Sequence, residues 1–137
     1  MFTESDRTLL TRPLQAHITV APKGERWPAP RPVWFELTAD EELQIFSFAG
    51  TPRVSRLREN PRASIVVVAP VGEDEHWVSV EGEASIHTDG AHELAQRLAD
   101  RYYGENDEAH RELVDSWMTE DLVRIVLHPE KVQRYRI

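Results

Sequence analysis

Four arginines lie close together in the segment SFAGTPRVSRLRENPR, residues 47–62. They are Arg53, Arg56, Arg58 and Arg62, in a chain whose formal net charge is −8. Guanidinium groups bind phosphate and carboxylate through charge-assisted hydrogen bonds, so the cluster could hold an anion. The alternative is a helix whose arginines point into solvent. Abundant arginine does not decide between them, because only Lys23 and Lys131 are lysines among the 16 basic residues.

The same segment carries the signals of a helix start. Thr51 is a good N-cap residue, and Pro52 suits the first helical position, where its missing N–H has no consequence. Asn60 and Pro61 predict the end of the helix about two turns later. An anion at this helix start would meet free backbone N–H groups, the Thr51 hydroxyl and the guanidinium of Arg53.

Two further residues stand out on neighbouring predicted strands. Arg31 lies between Pro30 and Pro32, which have no backbone N–H to donate. Such a segment either faces a ligand or forms an edge strand whose prolines prevent pairing with other chains. Trp77 lies in the strand HWVSVEG, where a tryptophan is more commonly a core or interface residue than a cofactor contact. Both alternatives stay open for both residues.

The remaining reactive residue types show no pattern of a catalytic or metal site. The six histidines lack the spacing of metal ligands, and Glu73, Asp74 and Glu75 are typical of a solvated turn. No serine lies in a nucleophile elbow, and no side chain qualifies as a general acid or base. The sequence therefore predicts no metal ion and leaves the catalytic residues unassigned.

The composition narrows the cellular setting and the partners. The absence of cysteine excludes disulfides and thiolate sites and fits a cytoplasmic protein. The 24 acidic against 16 basic residues argue against nucleic acid as a partner. No apolar run approaches the length of a membrane span. We therefore expect a cytoplasmic protein that acts on a small molecule, and neither nucleic acid nor membrane as a partner.

The order of the elements predicts a mainly β (α+β) fold. A possible short helix in residues 4–14 is followed by the strands HITVAP, RPVWFEL and LQIFSF, the arginine-rich helix, and the strands SIVVVAP and HWVSVEGEASIHT. Two amphipathic helices, the first ending at Gly104, precede the last strand LVRIVL. We expect a single domain, residues 1–137. Its architecture would be a six-stranded antiparallel split β-barrel in meander order, with a short helix after strand three and helices before the last strand.

The segments PRPVWFEL, LQIFSFAGTPRVSRLRENPRASIVVV and HWVSVEGEASI resemble the pyridoxamine 5'-phosphate oxidase-like superfamily of flavin- and deazaflavin-binding split β-barrels. The similarity covers residues 15–90 well and the C-terminal LVRIVLHPEKVQRY more loosely. It implies a homodimer with the cofactor at the interface, and an FMN-dependent oxidoreductase that acts on a small conjugated substrate. One alternative is a reductase using the deazaflavin F-420, whose longer acidic tail the acidic composition disfavours. Another is a non-catalytic flavin- or haem-binding or redox-sensing protein.

Carried over position by position, the resemblance assigns the cofactor to Arg31, Val33, Ser47, Phe48, Thr51, Arg53, Arg56 and Trp77. Thr51 and Arg53 match the pair that contacts the phosphate, and Trp77 matches a position that approaches the ring from the second subunit. Pro52 and Glu36 stand where other members carry basic residues, which implies a weaker phosphate site or one served by residues such as Arg56. The segments 22–29, 70–76 and 100–120 are expected to shape the substrate pocket.

Overall fold

The computed structural model describes residues 1–104 and 107–137. Residues 105 and 106, which belong to the segment 100–120 expected to shape the substrate pocket, lie outside the described residues. The helices are α1 (Glu4–Leu10), α2 (Pro52–Glu59), α3 (Ala91–Tyr103) and α4 (Glu108–Trp117). The strands are β1 (Ala16–Val20), β2 (Arg31–Val33), β3 (Glu36–Leu37), β4 (Leu43–Phe48), β5 (Arg62–Val68), β6 (His76–His87) and β7 (Leu122–Arg136).

The described strands form one curled antiparallel sheet in the order β2-β1-β5-β6-β7-β4-β3. The mainly β class is confirmed, but the expected meander through all strands is wrong. Consecutive strands are neighbours in β1–β2, β3–β4 and β5–β6–β7, but β1 also pairs with β5 and β4 also pairs with β7, which breaks the meander. The long strands β6, with 12 residues, and β7, with 15, pair along their length at the centre of the sheet, and each accepts a further strand, β5 or β4, on its other side.

The expected strand RPVWFEL is divided into two strands, which gives seven strands rather than six. β2 pairs with β1 at one edge of the sheet, and β3 pairs with β4 at the opposite edge. The chain passes from Val33 to Glu36 in three residue steps, which span at most about 11 Å. The two edges must therefore approach each other, and the sheet curls into a half-barrel around the fully buried Phe35.

The helices lie where the sequence predicts them. Val54 and Leu57, three positions apart, are the buried residues of α2, which ends at its C-cap Asn60. Gly104 is the C-cap of α3 with φ 66°, in the region that favours glycine. Helix α3 packs on the outer face of β4 and β7. None of the described helices is long and apolar enough to cross a membrane.

Gly82 lies at a bulge in β6 where the backbone of β7 approaches closely. The register between β6 and β7 shifts between Glu81 and Gly82. A Cβ atom at Gly82 would lie 1.9 Å from the carbonyl oxygen of His128. Only glycine allows the two long strands to approach so closely at this point.

Candidate functional site

The start of α2 forms a set of hydrogen-bond donors at the end of β4. Thr51 occupies the N-cap position, but its side chain makes no capping hydrogen bond. Its hydroxyl instead lies 3.0 Å from the hydroxyl of Ser47, which is 4% exposed. Among the described residues, none accepts a hydrogen bond from the backbone N–H of Arg53 or Val54. The positive end of the helix therefore presents unused backbone donors.

Three guanidinium groups, from Arg31, Arg53 and Arg56, lie near this helix start and have hydrogen-bond donors without a partner among the described residues. Burial, and after it the positive charge of Arg31, lower the pKa of Arg53. Within residues 1–104 and 107–137, neither Arg31 nor Arg53 forms a salt bridge, and Arg31 donates only to the carbonyl oxygen of Pro30 at 3.2 Å. Arg56 forms an ion pair with Glu59 at 3.6 Å, and its buried Nε has no partner among the same residues. Two like charges held together without a counter-charge repel each other, and an anion bound between them would remove this repulsion.

A basic cavity of about 490 Å³ opens beside the start of α2. Its lining has five cationic side chains, from Lys23, Arg26, Arg31, Arg53 and Arg56. No carboxylate belongs to the described lining. The cavity is therefore strongly positive although the whole chain carries a net charge of −8. Charges more than about 8 Å away are largely screened at physiological salt, so the local cations determine what binds here.

An aromatic cavity of about 330 Å³ adjoins the basic cavity. Five aromatic residues contribute to its lining: Trp34, Phe46, Phe48, Tyr103 and Trp117. Trp34 packs against two of these rings in edge-to-face contacts, with its ring 4.9 Å from Tyr103 and 6.2 Å from Trp117. Thr51 and Arg53 line both cavities, so the two cavities meet at the start of α2.

The structure brings together seven of the eight residues assigned by the sequence. Arg31, Thr51, Arg53 and Arg56 line the basic cavity, while Val33, Ser47, Phe48, Thr51 and Arg53 line the aromatic cavity. Trp77 lines neither cavity. It lies at the start of β6, stacked on Tyr135 with ring centroids 6.4 Å apart. The binding roles of all eight residues stay predictions.

Glu36 does not contribute a negative charge to either cavity. Its carboxylate accepts hydrogen bonds from Arg97 at 2.9 Å and from Gln44 at 2.6 Å. The hydrogen bond from Arg97 outweighs the effect of burial and lowers the pKa of Glu36. The carboxylate therefore ties β3 to α3, and it leaves the charge of the helix start unchanged.

A model of the pyridoxamine 5'-phosphate oxidase family matches residues 3–135, almost the whole chain. The chain belongs to this family. No protein with a curated description matches it.

Solved structures show how widely this family fold is shared. A conserved hypothetical protein from Mycobacterium tuberculosis superposes with a TM-score of 0.78 at 18% identity, over 99% of this chain and 86% of its own. An F420 reductase superposes with a TM-score of 0.76 at 23% identity, over 96% of this chain and 98% of its own. A FAD-binding protein from Mesorhizobium loti superposes with a TM-score of 0.65 at 21% identity, over 98% of this chain and 92% of its own. At these identities the likeness establishes the fold.

In this member of the pyridoxamine 5'-phosphate oxidase family, several cavity residues escaped sequence reasoning. Lys23, Arg26 and Trp27 come from the segment 22–29, which was expected to shape the substrate pocket, and they line the basic cavity. Trp27 is 89% exposed, an unusual position for a tryptophan. In the sequence, the only indication that this segment could line a cavity was a tryptophan near two cations in a turn-rich segment. Tyr103 and Trp117 also line the aromatic cavity, and no sequence signal placed them there.

Proposed function

We propose that the chain is an oxidoreductase that binds the deazaflavin F-420. The observation that carries this proposal is the basic cavity without carboxylates, which joins an aromatic cavity at the start of α2. Relatives with the same fold include an F420 reductase and a FAD-binding protein, which supports a flavin-type cofactor. The acidic composition favoured FMN at the level of sequence, but the local arrangement of cations favours the cofactor with more negative charge.

The residues at the helix start fit a phosphate group. The Thr51 hydroxyl, two free backbone N–H groups and the guanidinium of Arg53 all donate hydrogen bonds. A single phosphate, as in FMN, would use these donors together with Arg31. Lys23 and Arg26 would then remain unneutralised in the same cavity. A longer tail with several carboxylates would neutralise them, which is why F-420 fits the cavity better.

The aromatic cavity fits a planar ring system. When bound, the deazaflavin supplies hydride transfer, and the chain supplies binding and orientation. Trp34, Tyr103 and Trp117 would contact the ring or a conjugated substrate and exclude water. Within the described part of the chain, neither a carboxylate nor an imidazole lines this cavity. The arrangement therefore suits hydride transfer without a strong base among the lining side chains.

We also propose that the active species is a homodimer. Trp77 lies away from both cavities, so it would reach the cofactor only from a second copy of the chain. Around it Val68 is 46% exposed and Tyr135 is 44% exposed, which leaves apolar surface free for such a contact. Size-exclusion chromatography with light scattering tests this, and a monomer at micromolar concentration would contradict it.

The cofactor choice is tested by binding F-420 and FMN to the purified protein and to two charge variants. The double variant Lys23→Gln/Arg26→Gln should weaken F-420 binding by about 5- to 30-fold, since two exposed ion pairs contribute about 1–2 kcal/mol together. The same variant should leave FMN binding unchanged. Arg58→Gln is the matched control, because Arg58 is exposed on α2 and lines neither cavity.

The outcomes separate the candidate functions. If FMN binds more tightly than F-420, and the double variant changes the affinity for both cofactors equally, the proposal for F-420 is wrong and FMN takes its place. If F-420 binds more tightly, the protein is next incubated with reduced F-420 and conjugated ketones or quinones, and reoxidation of the cofactor is followed near 420 nm. Tight binding without turnover of any of them would instead support a binding or redox-sensing protein.

A further inference from the structure

A polar cluster lies on the outer face of the sheet, away from both cavities. Ser85 and His87 are two positions apart on β6 and point to the same side, because strand side chains alternate. His128 comes from the neighbouring strand β7, and Glu42 comes from the residue before β4. The two histidines are far apart in the sequence, which is why spacing alone predicted no metal site.

Both imidazole rings converge on one hydroxyl oxygen. The Nε2 atom of His128 lies 2.7 Å from Oγ of Ser85, and the Nε2 atom of His87 lies 2.8 Å from the same oxygen. On its far side, His128 contacts the carboxylate of Glu42 through Nδ1. Since a carboxylate accepts, Nδ1 of His128 carries the proton, and the Nε2 lone pair points at Ser85.

We propose that His87 and His128 bind a divalent transition-metal ion of the Zn²⁺ class through their Nε2 atoms, with the Ser85 hydroxyl as a third donor. Imidazole nitrogen is a preferred ligand of such ions. A histidine ligand commonly donates its other N–H to a carboxylate, and Glu42 occupies that position for His128. The ion replaces the two hydrogen bonds that now meet at the serine oxygen. Because that hydroxyl donates its one proton to His128, His87 donates through Nε2–H, and on metal binding this proton leaves Nε2 and Nδ1 takes up a proton from solvent.

The distances from the two Nε2 atoms to the serine oxygen need to increase only slightly to accept the ion. With metal–ligand bonds of about 2.0–2.1 Å in tetrahedral geometry, two donor atoms lie about 3.3–3.4 Å apart. The present separations of 2.7 and 2.8 Å from the serine oxygen must therefore open by about 0.6 Å. Small χ rotations of partly exposed histidines provide this movement, and the side chain of His128 is 44% exposed.

The surrounding charges favour a cation. Glu42 touches His128, and the exposed Glu83 lies opposite His128 across the β6–β7 ladder. Arg124 lies opposite His87, but its guanidinium is engaged by the carbonyl and carboxylate oxygens of Asp89 at 3.0 and 3.3 Å. The net field at the two Nε2 atoms is therefore negative.

The site has open coordination positions. In the described ranges, no three side chains of histidine, cysteine, aspartate or glutamate converge in a way that could hold a metal ion. Two imidazoles and one hydroxyl supply three of the four ligands of a tetrahedral ion, which leaves one position for water. This is the pattern of an exchangeable site rather than a closed structural one.

The test is a titration of the tag-free protein with ZnCl₂ by calorimetry, in a buffer that does not bind metal. We expect one equivalent to bind, and His87→Ala or His128→Ala to abolish this binding. Glu42→Gln should weaken it by about 10- to 100-fold, the usual effect of losing the carboxylate behind a histidine ligand. His17→Ala is the control, because His17 is exposed on β1 and belongs to no such cluster.

Zn²⁺ binding that persists in the double variant His87→Ala/His128→Ala, or that disappears equally in His17→Ala, overturns the proposal. Circular dichroism checks that each variant is folded. The wild-type protein provides a second measurement that needs no variant, the ¹⁵N NMR resonances of its histidine rings. One equivalent of Zn²⁺ should shift the Nε2 resonances of His87 and His128, and two unshifted resonances would refute the site.

Discussion

Replacing Arg53 by methionine should have opposite effects on the empty protein and on its complex with the cofactor. Arg53 is partly buried at the start of α2, beside Arg31, and forms no salt bridge within the described residues. Methionine keeps the apolar packing of the arginine stem and removes the charge. The empty protein is then relieved of a repulsion, whereas the bound phosphate loses a donor.

The magnitudes follow from the two environments of this guanidinium. A hydrogen bond between charged groups contributes about 1.5–3 kcal/mol, so the dissociation constant of F-420 or FMN should rise about 10- to 160-fold. Without a ligand, the loss of one of two like charges should raise the free energy of unfolding by up to about 1 kcal/mol. Arg58→Met changes the net charge equally on the same helix but lines neither cavity.

Two assays check this prediction. Cofactor affinity is measured by quenching of cofactor fluorescence, and the stability of the empty protein is measured by urea denaturation. Arg58→Met should leave the affinity within about twofold of the wild type. If Arg53→Met binds the cofactor as tightly as Arg58→Met, the phosphate does not lie at the start of α2. If Arg53→Met destabilises the empty protein, Arg53 is not an unpaired cation.

Three further predictions concern the fold. Asp6→Asn breaks the pair between a 1% exposed carboxylate and Arg134, and should cost about 2–3 kcal/mol in urea denaturation at pH 7. Burial raises the pKa of Asp6, but the hydrogen bonds from Arg134 and Thr3 outweigh burial, so the pKa in the folded protein is lowered from 3.8. The stabilisation is therefore fully present above pH 3.8 and disappears as the pH falls through the pKa of Asp6 in the folded protein. Thermal midpoints of wild type and variant should therefore converge in acid. Gly82→Ala, which forces Cβ to within 1.9 Å of the His128 carbonyl oxygen, should cost at least about 3 kcal/mol or prevent folding, as judged by circular dichroism. Tyr102→Phe removes a hydroxyl that donates to a main-chain carbonyl at 2.8 Å, and calorimetry should show a loss of about 1–2 kcal/mol.

Elements whose signals are local were predictable. The proline at the first position of α2 and the Asn60-Pro61 stop act within a few residues, and the helix lies between them. The end of α3 at Gly104 was likewise predicted from residue type and position. The side chain of Thr51 was the exception, because its hydroxyl contacts the buried Ser47 of β4 and makes no capping hydrogen bond.

Strand pairing was less predictable than strand location. The segment RPVWFEL has the composition of one strand, but its two halves pair at opposite edges of the sheet. Which edge each half joins depends on the long β6 and β7, which lie far away in the sequence. Pairing energies of this kind depend on partners and not on the segment itself.

The sequence by itself determined the family and the mainly β class, and it predicted an anion site at the start of α2, because these rest on residue types and their order along the chain. Only the tertiary structure decided what joins that helix start. The curled sheet brings Lys23 and Arg26 from the segment after β1 to Arg53, and it brings Tyr103 and Trp117 over the aromatic cavity. The same long-range pairing brings together two histidines whose spacing in the chain carries no metal signal. Charge complementarity and ligand convergence depend on distances of a few ångströms, and the chain fold sets these distances.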